Sequence, residues 1–168
     1  MRVKKVQFVT IVAASYALAY LVAGGVAYQL ITKQFYVGDD AVFTAYLRSE
    51  ADPAQWAHAS TWILPVLLVR ALLLGAVLLP FAADIIRYSH TRRILVLSAI
   101  VFVLMHIAAA APSPSNLEGF VYVRSELFAL KTFLLTQPEM IAQSLGFGAL
   151  ASWVIERFMK TAVQTSKS

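Results

Sequence analysis

Arg70 is the residue in this sequence whose type and position most demand an explanation. It stands well inside an apolar run, roughly 12–15 Å from one end at about 1.5 Å of helical rise per residue. Placing an arginine at that depth in a membrane costs at least about 2.5 kcal/mol, so it needs a polar partner or a wet cavity. One chemistry that suits it is a cationic anchor for a carboxylate, a phosphate or a lipid headgroup. The alternative is structural, with the guanidinium hydrogen-bonded to carbonyls and neighbouring side chains, holding helices together.

Four further residues reach a similar depth on other segments. His106 lies near the far end of its apolar run, at a level that Arg70 reaches by snorkelling. Gln143 sits about one helical turn beyond Glu139. Tyr16, Tyr20 and Tyr28 fall on one face at multiples of four residues, with Gly24 between them. Depth and topology therefore predict that Arg70, His106, Gln143, Tyr20 and Glu139 converge on one polar pocket. Taken singly, His106 reads as a core histidine and the tyrosines as packing or interface anchors. Which helix faces point inward is not encoded in spacing alone.

Other chemistries find less support. The chain has no cysteine, which removes disulfides, thiolate metal sites and cysteine nucleophiles. His106 with Glu118, Glu126 and Glu139 has the ligand types for a metal, but no pair has the tight helical spacing of H-E-x-x-H. Neither a metal nor a cofactor is expected. The sequence also lacks a phosphate-binding glycine loop, a G-x-S-x-G elbow, paired intramembrane carboxylates and a row of arginines on one helix.

The elements that must position these residues are membrane helices. Apolar residues make up 60% of the 168, charged residues only 14%, and the mean hydropathy is +0.70. Soluble domains run nearer about 45–50% and about 25%. Four runs are long and apolar enough to cross a hydrocarbon core, at about 8–31, 62–86, 94–111 and 140–158. None alternates as a barrel strand does, so helices are expected. The first run follows basic residues but exceeds the usual apolar length of a signal peptide, and reads as a retained helix.

Basic residues set the orientation. Arg2, Lys4, Lys5, Arg87, Arg92, Arg93, Arg157, Lys160 and Lys167 fall on one side, against Lys33, Arg48, Arg124 and Lys131 on the other. Nine against four predicts cytoplasmic termini, with residues 161–168 as a cytoplasmic tail, in a cell (inner) membrane. The net charge of +5 then reflects topology and anionic headgroups rather than nucleic acid, which is not an expected partner.

Both outer loops have helical character. Asp52-Pro53-Ala54-Gln55 reads as a capping box with proline at the first helical position, and Thr136-Gln137-Pro138-Glu139 reads the same way. Leu127, Leu130 and Leu134 recur at helical spacing, predicting an interfacial helix over 125–135. Asp39 or Asp40 is placed to cap a short helix ending near Leu47. The short linker from Arg87 to Arg93 predicts that the second and third helices pack as antiparallel neighbours. Asp84 and Arg87, one turn apart, read as an interfacial ion pair or as helix-end charges, and His90 reads as solvated and in contact with headgroups. Small residues at Ser15, Ala19, Ala23 and Ala27, and at Ser144, Gly148 and Ser152, mark close helix approach. Pro65 and Pro80 predict kinks.

The expected fold is all-α: a four-transmembrane-helix bundle with short interfacial helices in two outer loops. The expected function is that of a binding or accessory subunit, its pocket around Arg70 taking an anionic small molecule or lipid headgroup. The lipid bilayer and either further copies or other membrane subunits are the expected partners. Alternatives are a homo-oligomeric channel or transporter, and an intramembrane enzyme using His106 with an outer-loop carboxylate.

Overall fold

The computed structural model describes residues 4–39, 41–45, 47–107, 113–123 and 128–160, and the regular structure among them is helical, without strands. Three helices are long and apolar enough to cross a membrane: α1 (Lys5–Phe35), α2 (Pro53–Arg87) and α3 (His90–Ile107). That is the profile of a membrane protein. A six-residue helix, α4 (Leu117–Tyr122), precedes the long helix α5 (Leu130–Ile155).

Local chemistry explains most helix starts. Asp52 accepts hydrogen bonds from the backbone N–H groups of Ala54 and Gln55 at 2.9 and 3.2 Å, and Pro53 opens α2 where its missing N–H costs nothing. The reciprocal half of the capping box does not form, because the Gln55 Oε1 instead accepts from Arg48 Nε at 2.8 Å. Ser89 caps α3 through Arg92 N–H. The α-helical part of α2 runs unbroken past Pro65, whereas Pro80 lies in a 3-10 turn, Leu79–Phe81. In the loop after α1, a 3-10 turn covers Val42–Ala45; Asp40 lies outside the described residues.

The second capping box is a correction. α5 already starts at Leu130 and carries Pro138 in its interior. Thr136 Oγ donates to the Phe133 carbonyl at 2.9 Å, and Gln137 Nε2 to the Phe133 and Ser115 carbonyls at 3.0 and 3.1 Å. These side chains strengthen the turn that a proline weakens, rather than starting a new helix. Residues 130–135 are thus the first turns of a long helix, and 125–127 lie outside the described residues.

α5 lies along both α1 and α3, while α2 packs on α1. The small residues are what let α5 approach so closely. A Cβ added at Gly148 would stand 2.1 Å from Ser98 Oγ and 2.7 Å from the Ile94 carbonyl, both on α3. On the α1 side Gly146 faces Ala19, and Ser15 and Ala19 are buried. The shared core is Phe8, Val12, Tyr16, Leu97, Val101, Phe147, Ala151 and Ile155. α2 and α3, expected to pack as antiparallel neighbours, are joined through the turn between Arg87 and His90, and an apolar groove lined by both lies further along.

That turn is held by Arg93, which the charge pattern assigned to the membrane surface. Its side chain is fully buried. Nε donates to the Ile85 carbonyl at 3.0 Å, Nη1 to the Ser152 carbonyl at 2.8 Å, and Nη2 to the Tyr88 carbonyl at 2.8 Å and the Ile86 carbonyl at 3.4 Å. Glu156 lies 3.7 Å from Nη1. His90 is not simply solvated either: its Nδ1 is 2.9 Å from Glu156 Oε2 and 3.2 Å from Ser152 Oγ. Asp84 and Arg87 form no ion pair among the described residues.

Two stability predictions follow from these contacts. Arg93→Leu strands several buried carbonyls, so unfolding in detergent should be easier by at least about 3 kcal/mol, and Arg93→Lys should rescue little, since an ammonium cannot span carbonyls on α2 and α5. Gly148→Ala should destabilise by about 1–3 kcal/mol through overpacking, whereas Gly25→Ala, with nothing within 4 Å of the added Cβ, should leave the denaturation midpoint unchanged.

Candidate functional site

Away from Arg93, at the opposite end of the bundle, the helices enclose a cavity of about 290 Å3. Each long helix contributes to its wall: Tyr20 and Thr32 from α1, Arg70 from α2, Met105 and His106 from α3, and Thr136, Glu139, Met140 and Gln143 from α5. The segment before α4 adds Ser113, Ser115 and Asn116, and the loop after α1 adds Tyr36 and Phe43. Arg70, His106, Gln143, Tyr20 and Glu139, which come from four separate apolar runs, therefore line one space.

The floor is aromatic and buried. Tyr16, one turn from Tyr20, meets Phe147, one turn from Gln143, edge to face at 5.9 Å. Both are buried, and they cap the core below. The Arg70 guanidinium carbon sits 5.6 Å from the Tyr16 ring centre, within the range of a cation–π contact. Among the described residues Arg70 makes no hydrogen bond and no ion pair. Its N–H donors are thus uncommitted beside a polar cavity, some 12 Å along α2 from Trp62.

Two acceptor-capable atoms share that condition. His106 Nε2 and Gln143 Oε1 are buried without a hydrogen-bond partner, on side chains at least nine-tenths buried. An unsatisfied buried polar atom costs about 1–3 kcal/mol, and native structures rarely keep two around one cavity without a reason. Glu139, by contrast, is engaged. Gln143 Nε2 donates to its Oε1 at 2.9 Å, and Thr32 Oγ lies 3.5 Å from its Oε2. Gly24 makes room for this pair: a Cβ there would lie 3.2 Å from Gln143 Nε2.

The polar rim was missed in the residue spacing. Asn116 Oδ1 accepts from the N–H groups of Gly119 and Ser113, at 2.9 and 3.2 Å, which folds the chain ahead of α4 over the cavity mouth. A Cβ at Gly119 would fall 1.7 Å from the Ser113 carbonyl, so only glycine permits that fold. The composition of the stretch Pro112-Ser113-Pro114-Ser115-Asn116 suits a loop, but nothing in it indicates which helices it covers. Of the acidic residues considered for a metal, only the Glu139 side chain is described; Glu118's side chain and Glu126 are not, and the described residues hold no group of three or more histidine and acidic side chains placed for one.

If His106 served the packing, its loss would weaken the fold. Because its Nε2 has no partner, His106→Phe should leave the unfolding midpoint unchanged or slightly higher, with a gain of up to about 1–3 kcal/mol from the removed unsatisfied group. A clear fall in midpoint in a detergent thermal melt would assign His106 to structure instead. No family model matches this chain, and comparison with curated proteins and with solved structures gives no match, so the site is read from its own geometry.

Proposed function

We propose that this chain is a four-span membrane protein with cytoplasmic termini, acting as a binding or accessory subunit. α5 serves as the fourth span in this reading. Its polar residues Thr132, Thr136, Gln143 and Ser144 are buried against neighbouring helices, so it does not need the uniform apolar surface of a lipid-facing helix. The bundle sits in the cell (inner) membrane, with the Arg93 end towards the cytoplasm and the cavity opening outside. Its partners are the bilayer and further copies or other membrane subunits.

The cavity around Arg70 holds an anionic small molecule or a lipid headgroup. The observation that carries this reading is the uncommitted guanidinium on the wall of a polar cavity, where its cost in the membrane is offset only by a partner or water. A carboxylate or phosphate accepts two parallel N–H bonds from such a fork, while His106 and Gln143 offer further polar contacts from the opposite helices. The buried Tyr16–Phe147 floor weighs against a conduction path through a single chain, leaving a channel to an interface between copies. An enzyme reading gains little, since His106 has no hydrogen-bonded carboxylate or hydroxyl among the described residues.

Native mass spectrometry of protein gently extracted from its membrane tests the reading. The wild-type chain should carry an anionic adduct, and Arg70→Leu should lose it while keeping an unchanged thermal midpoint. An adduct that survives Arg70→Leu at equal occupancy removes the role given to this arginine.

A further inference from the structure

The polar cavity is not the only hollow that Arg70 borders. On the other side of the same side chain lies the groove between α2 and α3, about 740 Å3 in volume. Val66, Val69, Leu73, Val77 and Phe81 form one bank, and Val96, Ile100 and Leu104 the other. Arg70 and Met105 line both spaces. A cationic fork thus stands where a polar chamber meets an apolar trough.

The groove has the dimensions of a lipid chain. From Arg70 to Phe81 α2 rises about 16 Å, close to half the roughly 30 Å thickness of a hydrocarbon core. Its banks are apolar over that length, and Leu73 and Val77 are 61% and 67% exposed, so no described side chain fills it. The groove persists because Arg93 ties α2 to α5 at one end only, and α2 packs on α1 rather than on α3. Ordinary lipid-facing surface is convex; this surface is concave and has at its head a positive charge with no ion pair among the described residues. That charge argues for an occupant with an anionic end, and against a second apolar helix.

Resting on the anion-binding reading of the cavity, we infer that the ligand is an anionic membrane lipid, its headgroup held at Arg70 and one hydrocarbon chain laid along the α2–α3 groove. The shared chemistry with a free anion is the phosphate; what separates them is the chain. Bulky substitutions at Leu73 and Val77 would obstruct the trough without touching the core.

The test uses the full chain in micelles doped with phosphatidylglycerol, phosphatidylcholine or chainless glycerol 3-phosphate, with bound species read by native mass spectrometry. Wild type should retain phosphatidylglycerol about tenfold better than phosphatidylcholine, a difference of about 1.4 kcal/mol. Leu73→Trp and Val77→Trp should each cut phosphatidylglycerol retention by a similar factor, at unchanged thermal midpoint, without changing any glycerol 3-phosphate signal. Retention undiminished in both tryptophan variants but lost in Arg70→Gln overturns the groove and leaves the headgroup cavity standing. Retention undiminished in Arg70→Gln overturns both. A protein dimer that disappears in Val77→Trp also overturns the proposal, since a second copy would then fill the groove.

Discussion

The buried guanidinium of Arg93 sets the geometry of the bundle. Four backbone carbonyls from two helices and the turn between α2 and α3 converge on it. Carbonyls near a helix end or in a turn lack intrahelical partners and must find donors elsewhere. One arginine supplies several of them in a fixed plane, which a flexible ammonium cannot do. The sharp turn after Arg87 is thereby tied to the last turn of α5, and His90, Ser152 and Glu156 complete the network around it.

Because this tie sits at one end, the other end is free to open. α2 is held to α1 by Gly75, whose missing Cβ would approach the Val9 carbonyl at 2.9 Å, and α3 to α5 by Gly148. Among the described glycines none brings α2 and α3 together in this way. The helices therefore form a row, α2–α1–α5–α3, closed by a turn at one end and separated by the apolar groove along the rest. Arg70 sits where that row opens. The two arginines differ in satisfaction: one has its donors saturated by backbone, while the other has, among the described residues, only the face of Tyr16.

How much of this was legible in the sequence depends on which physical signal carried it. Apolar runs and the Asp52-Pro53 cap are local signals, and the helices appear where those signals lie. The depth of Arg70, His106, Gln143, Tyr20 and Glu139 was also legible, because helical rise converts residue number into height, and these residues do line one cavity. Azimuth was not: no spacing rule says that α2 would turn away from α3, or that the serine-rich segment would fold over the mouth. Two readings failed where a local motif competed with a longer-range demand. Arg93 looked like a surface charge because its neighbours Arg87 and Arg92 are, yet its guanidinium is drawn in by the carbonyls at the end of α2 and in the turn that follows. Thr136-Gln137-Pro138-Glu139 matched a helix start, but packing against α1 and α3 carries the helix straight through it.

The cavity itself reflects an arginine and a glutamate held apart. Arg70 on α2 and Glu139 on α5 line the same space without forming an ion pair. At an effective dielectric of about 20, unit charges about 4 Å apart would attract by roughly 4 kcal/mol, so flexible helices would tend to close on each other. They are prevented from doing so by α1, which stands between α2 and α5 with Tyr16 and Tyr20 facing the gap, and Gln143 and Thr32 occupy the carboxylate instead. The same packing that denies Arg70 its internal partner leaves its donors directed at whatever enters the space between them.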